Sequence, residues 1–151
     1  MKKDSTRDYV TAMFRRYAAA GQPSYETARC RVYEQELQRH AGIDPAVAQE
    51  RAQKEVDRRT PWLLDIMAVD STMTTLRHGH RSEIAAALEA VYFPFPLRPL
   101  RRREIEERVN RFASVFPADP RTVYRWLRLG RMLCAEYRGL SFEDVSSDTK
   151  K

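Results

Sequence analysis

The sequence predicts an all-α fold, with a helical N-terminal part followed by a C-terminal helix-turn-helix. Only five of the 151 residues are glycine, and runs that alternate apolar and polar residues, as strands do, are nearly absent. Apolar residues instead recur at spacings of three and four, which is the period of a helix buried along one side. Three capping residues also precede a proline, a common first residue of helices: Asp44-Pro45, Thr60-Pro61 and Asp119-Pro120.

Five helices are predicted before a proline-rich stretch. Their approximate ranges are 6–20, 25–41, 45–58, 61–77 and 82–93. Ser24 is the expected cap of the second helix, and the third is so polar that we expect it to pack on one neighbour at most. Residues 93–99 contain three prolines, which exclude a regular helix there. This stretch, the proline-rich connector, is predicted to be stiff and to carry buried aromatic residues.

Two further helices follow the connector. Apolar residues on one face predict a helix over about 100–116, and Pro117 and Ala118 break it. Asp119 then caps a last helix that runs to about Arg138 and ends at Gly139. The predicted organisation is therefore a helical part over 1–80, a candidate for homo-oligomerisation or partner binding, then a DNA-binding unit over 81–140 and a tail over 141–151.

The positive charge is concentrated in this C-terminal unit. The chain has 27 basic and 21 acidic residues, a net charge of +6. The window 98–138 contains 11 of the basic residues, all arginine, and 5 of the acidic ones, so it carries the whole excess. The remainder holds 16 of each sign and is neutral. Such a local excess indicates an anionic partner rather than a general device for solubility.

The last helix separates its apolar residues from its basic ones. At 100° per residue, the predicted buried face consists of Val123, Leu127, Gly130, Cys134 and Tyr137, flanked by Trp126 and Leu133. The opposite face consists of Arg121, Tyr124, Arg125, Arg128, Arg131 and Met132. Arginine at a helix start opposes the helix dipole, so Arg121 is better explained by an external polyanion. Two helices, a short turn and a basic second helix are typical of a helix-turn-helix on double-stranded DNA.

The arginines of this unit divide into two predicted groups of DNA contacts. The major groove admits a helix, and arginine binds guanine through two hydrogen bonds. The predicted base contacts are Arg121, Thr122, Tyr124 and Arg125. The predicted phosphate contacts are Arg101, Arg102, Arg103, Arg128 and Arg131.

The C-terminal unit also resembles two groups of transcription proteins. Phe112-Ala113-x-x-Phe116-x-x-Asp119-x-x-Thr122-Val123 resembles the helix-turn-helix of sigma-factor region 4. Residues 82–140 are also similar to phage late-gene regulators of the RinA and ArpU type. This similarity rests on the sequence from Thr122 to Trp126 and on the end of the basic helix near Leu140. Pro117 departs from that pattern, which has glycine there, and the connector is longer than usual. The resemblance implies a phage or prophage regulator that binds a promoter, with RNA polymerase as a further partner.

Other functional classes find little support in the sequence. No nucleophile motif and no phosphate-binding loop is present, and His78 and His80 lack the further ligands of a metal site. We therefore expect a protein without enzymatic activity, cofactor or metal. An N-terminus without an apolar stretch and the absence of long apolar runs predict a cytoplasmic protein without membrane contact. Two alternatives stay open: a DNA-packaging component such as a small terminase subunit, and a module whose arginine face binds an acidic protein.

Overall fold

The computed structural model describes residues 5–141, which form helices joined by short loops, with no strand among them. The predicted all-α class is therefore confirmed. The helices are α1 (Ser5–Ala19), α2 (Tyr25–Arg39), α3 (Pro45–Arg58), α4 (Thr60–His78), α5 (Ser82–Tyr92), α6 (Arg102–Val115) and α7 (Pro120–Arg138). Most of the predicted tail, residues 142–151, lies outside the described residues.

Helix starts follow the predicted caps at three of four positions, and at two of these the cap side chain forms a hydrogen bond. The side chain of Ser24 accepts a hydrogen bond from the backbone N–H of Thr27, and Asp119 accepts one from Thr122. Asp44 precedes α3 but makes no such bond. The predicted cap at Thr60 is wrong, because Thr60 is already the first residue of α4 and its hydroxyl donates to the Val56 carbonyl of α3. Only Arg59 separates these two helices, so no room is left for a separate capping residue.

The long last helix, α7, lies among four others. It contacts α1, α4, α5 and α6, and one buried cluster includes Val10 of α1, Met73 of α4, Leu88 of α5 and Leu127 of α7. One core thus includes residues from both sides of position 80, where the sequence predicted a domain boundary. Helices α2 and α3 pack mainly on each other, and both also contact α4, so the expectation that the third helix packs on one neighbour at most is wrong.

Two buried arginines shape the connector. The guanidinium of Arg15 on α1 donates to four backbone carbonyls, those of Tyr92 (2.7 Å), Pro94 (2.9 Å), Phe95 (2.8 Å) and Arg98 (2.6 Å). Arg108 of α6 donates to the carbonyl of Val91 at 2.7 Å. These bonds satisfy carbonyls that a chain interrupted by prolines cannot pair within a helix. As a result, α1 fixes the path by which the chain enters α6.

Candidate nucleic-acid interface

An aromatic cluster determines how α6 leads into α7. The rings of Phe112 and Phe116 stack with centroids 5.2 Å apart, and Phe116 meets Trp126 edge to face at 5.7 Å. The four residues 116–119 join the helices, and Pro117 lies within this turn. Aromatic pairs in such geometries add to the energy of apolar burial. The start of α7 is therefore held against the end of α6 by side chains as well as by the short connection.

The first turn of α7 is capped by a carboxylate. Oδ1 of Asp119 accepts the backbone N–H of Thr122 at 2.9 Å, and this hydrogen bond lowers the pKa of Asp119 below its usual value. Pro120 follows as the first helical residue. The cap fixes the backbone of the first turn of α7, which carries the predicted base contacts Arg121 and Thr122.

The buried side of α7 agrees with the predicted face at four positions. Val123, Leu127, Gly130 and Cys134 are all buried, and burial raises the pKa of the Cys134 thiol to about 12. Gly130 lies so close to α5 that a β-carbon there would come within 2.5 Å of Leu88. Tyr137 was expected to be buried but is exposed, because it lies beside exposed Thr75 near the end of α4, within hydrogen-bonding distance of its hydroxyl.

The predicted base contacts lie on the first two turns of α7. Arg121, Tyr124 and Arg125 are exposed, and Thr122 is partly buried. The pKa of Tyr124 is raised, first by partial burial and then by the nearby carboxylate of Glu106, while Arg102 acts in the opposite direction. The three exposed side chains form a short surface, which we call the reading surface: Arg121, Tyr124 and Arg125.

The predicted phosphate contacts divide between two environments. Arg101, Arg102 and Arg103 are exposed at the start of α6 and form no side-chain ion pair with any described residue. Arg128 and Arg131 are partly buried, and each has a buried Nε without a hydrogen-bond partner in the part of the chain described.

Arg131 also takes part in the packing of α7. Its Nη1 donates to the Tyr92 hydroxyl at 2.7 Å. The basic face expected to run along most of α7 is thus fully open only near its start. The reason is that its second half lies against other helices, since Arg131 is bonded to Tyr92 at the end of α5 and Ala135, one turn further on, is fully buried.

Most arginines elsewhere have acidic partners within the fold. Arg58 pairs with Glu55 at 2.5 Å, and Arg77 pairs with Glu89. Asp65 of α4 is 3% exposed and accepts bonds from Tyr9 and Arg16 of α1 and from Arg138 of α7. No described carboxylate forms an ion pair with the arginines at the starts of α6 and α7, namely Arg101, Arg102, Arg103, Arg121 and Arg125, and the same holds for some arginines elsewhere, such as Arg51, Arg81 and Arg111. The charge at the starts of α6 and α7 remains available to an external anion.

Sequence reasoning missed the arginines and the carboxylate that build this frame. Arg15, Arg108, Asp65 and Arg138 do not contact the reading surface but hold α1, α4, α6 and the connector around it. No sequence signal distinguishes Arg15, Arg108 and Arg138, because each lies on a helix rich in charge. Asp65 does stand out, since it is a lone carboxylate within an apolar stretch of α4. Their roles depend on partners between 17 and 83 positions away.

The described residues, 5–141, meet the requirements of neither a membrane-spanning helix nor a metal site, and they contain no disulfide. No described helix combines the length and apolar character needed to cross a membrane. No group of three or more histidine, cysteine or acidic side chains lies close enough to hold a metal ion in the same part of the chain. Both cysteines are free; Cys30 is exposed and Cys134 is buried.

No family model, no curated protein and no solved structure matches this chain.

Proposed function

We propose that this protein binds double-stranded DNA sequence-specifically as a transcriptional regulator, with the start of α7 in the major groove. The observation that carries the proposal is the reading surface: two arginines and a tyrosine exposed together on the first two turns of the second of two closely connected helices. In a helix-turn-helix, the N-terminal residues of the second helix contact base edges. Arginine is also the side chain most often used to recognise guanine.

The start of α6 supplies the complementary phosphate contacts in this proposal. Arg101, Arg102 and Arg103 are exposed and have no described ion pair. Contacts to phosphate orient a protein on DNA without reading its sequence. Arg128 and Arg131 are less suitable than the sequence predicted, because both are partly buried and Arg131 is bonded to Tyr92.

The resemblance in residues 82–140 supports the regulatory part of the proposal. It favours a phage or prophage regulator that acts at promoters in the cytoplasm, with RNA polymerase as an additional partner. A DNA-packaging role would instead require a ring-forming assembly, which size-exclusion chromatography of the full chain would reveal.

The first test is selection of bound duplexes from a random DNA pool by the full chain. We expect a defined site to be enriched, with an affinity that falls steeply as salt increases, because arginine–phosphate contacts release counterions. Recovery of random sequences, with no enriched site, would contradict sequence-specific binding.

A second test separates phosphate contacts from base contacts. Arg103→Ala should weaken binding to all duplexes about equally and reduce the slope of log affinity against log salt by about one. Arg81→Ala is the matched control, since Arg81 is also exposed just before a helix but lies outside the basic window. A normal salt slope for Arg103→Ala would remove Arg103 from the proposed phosphate contacts.

A further inference from the structure

A groove lies beside the reading surface, between α1, the connector and the starts of α6 and α7. We call it the connector groove; its volume is about 1160 Å³. Tyr124 and Arg102 line it at its border with the proposed DNA-binding face, and Leu127 and Tyr92 are among its buried lining residues. The groove is thus formed jointly by the N-terminal helix and the C-terminal unit.

The connector groove is strongly basic. Its lining includes six arginines, at positions 7, 15, 16, 98, 102 and 131, against two acids, Asp8 and Glu106. The four partners of Arg15 are neutral carbonyls, which leave its positive charge uncompensated. Burial lowers the pKa of Arg15, the charge of Arg108 lowers it further, and Glu104 acts in the opposite direction. An acidic ligand would relieve this excess.

The same groove displays apolar surface. Leu97 is 89% exposed, and Pro99 beside it is exposed as well. Ile105 and Leu100 are partly buried along the lining. Exposed apolar surface is characteristic of protein-binding sites. Arginine and tyrosine often contribute most of the affinity at such sites.

The rim of the groove is fixed before any partner binds. The four bonds from Arg15 hold the connector, and the guanidinium of Arg98 lies 4.5 Å from the ring centroid of Phe95. Phe95 adopts a positive φ of 50°, a conformation that costs energy for a residue with a bulky side chain. A surface that is already ordered loses less entropy on binding.

We propose that the connector groove binds an acidic segment of another protein, one that carries apolar side chains between its carboxylates. Carboxylates would be attracted chiefly by Arg15, Arg102 and Arg131, because the other three lining arginines already pair with acids of the fold. Apolar side chains would cover Leu97 and its neighbours. Duplex DNA fits this groove less well, because a phosphate backbone offers no apolar side chains to cover Leu97 and its neighbours. The site extends beyond the proposed DNA contacts, so a partner held there would lie directly beside bound DNA.

The test is selection of binders from a random displayed peptide pool by the full chain. Peptides rich in both Asp or Glu and Leu or Phe are expected, and their binding should weaken with added salt. Leu97→Glu should reduce the affinity of a synthesised winner at least about tenfold, or about 1.4 kcal/mol. Val115→Glu is the matched control: Val115 is 82% exposed and does not line the groove, so this variant should bind the peptide normally.

Three results would overturn the proposal. The pool could yield no peptide, or peptides without an excess of acids, or a winner that binds Leu97→Glu as tightly as the parent. A loss of duplex DNA binding by Leu97→Glu, with no peptide enriched, would identify the groove as part of the DNA interface instead. Because Arg125 does not line the groove, Arg125→Ala should leave peptide binding intact, which separates this proposal from the proposed function.

Discussion

Single side chains decide where α7 begins and which way its first residues point. Asp119 and Asp44 look alike in the sequence, since each is an aspartate followed by a proline that opens a helix. The structure distinguishes them, because Asp119 accepts the Thr122 N–H and Asp44 makes no side-chain cap bond. This pair therefore offers a test of the local structure beneath the reading surface.

Replacing Asp119 by Ala should lower the melting temperature, whereas Asp44→Ala should change it little. The cap bond lowers the pKa of Asp119 in the folded state. Its stabilising effect is accordingly complete above the pKa of the unfolded chain, near 3.9, and is lost as the pH falls through the folded-state value. Thermal melts followed by circular dichroism should show a difference between parent and Asp119→Ala at pH 7 that disappears in strong acid. Equal effects of the two substitutions would contradict the assigned cap.

At the scale of the helix, the close approach of α5 and α7 depends on one glycine. Gly130 is buried in the middle of α7 and faces Leu88 of α5, which is fully buried. The sequence placed Gly130 on the buried face but gave no indication of the partner or of the distance.

Gly130→Ala tests this helix contact. Alanine favours a helix over glycine by about 1 kcal/mol, but a β-carbon within 2.5 Å of Leu88 would force repacking, which costs about 1–3 kcal/mol. We expect a net loss of up to about 2 kcal/mol, measured by urea unfolding. In a Leu88→Ala background the clash is absent, so the same substitution should become neutral or stabilising. A similar effect in both backgrounds would show that the two helices are not in close contact.

The bounds of the helices were largely predictable from the sequence, but the packing of other helices around each one was not. Periodicity and capping signals give the limits of α3 and α7 to the residue, because these signals are local. Arg131 is bonded to Tyr92 at the end of α5, 39 positions away, and α1 also contacts α7. A helical wheel contains no information about such neighbours. The wheel therefore predicted an arginine face about twice as long as the exposed reading surface.

For the whole molecule, the important feature is that α7 is supported from both sides of the predicted domain boundary. Asp65 links α1, α4 and α7 through Arg16 and Arg138, and Arg15 links α1 to the connector. The N-terminal helices are thus part of the frame that orients the proposed DNA contacts.

This arrangement predicts that residues 81–140 alone will not fold cooperatively. The fragment would expose the surface of α7 that α1 and α4 cover, and it would lack the partner of Arg138. We expect the full chain to melt in one transition and the fragment to show none by circular dichroism. A fragment that melts cooperatively and retains DNA binding would establish 81–140 as an independent domain.

Base recognition by the start of α7 depends above all on Arg125, so Arg125→Ala is the decisive variant. The variant would be measured by mobility shift on the selected site and on a scrambled duplex, with Arg81→Ala as the control. We expect a loss of about 1–3 kcal/mol on the selected site and relaxed specificity, little change on the scrambled duplex, and normal binding by Arg81→Ala. Binding of the selected site by Arg125→Ala at the parent's affinity would show that Arg125 does not contact the bases.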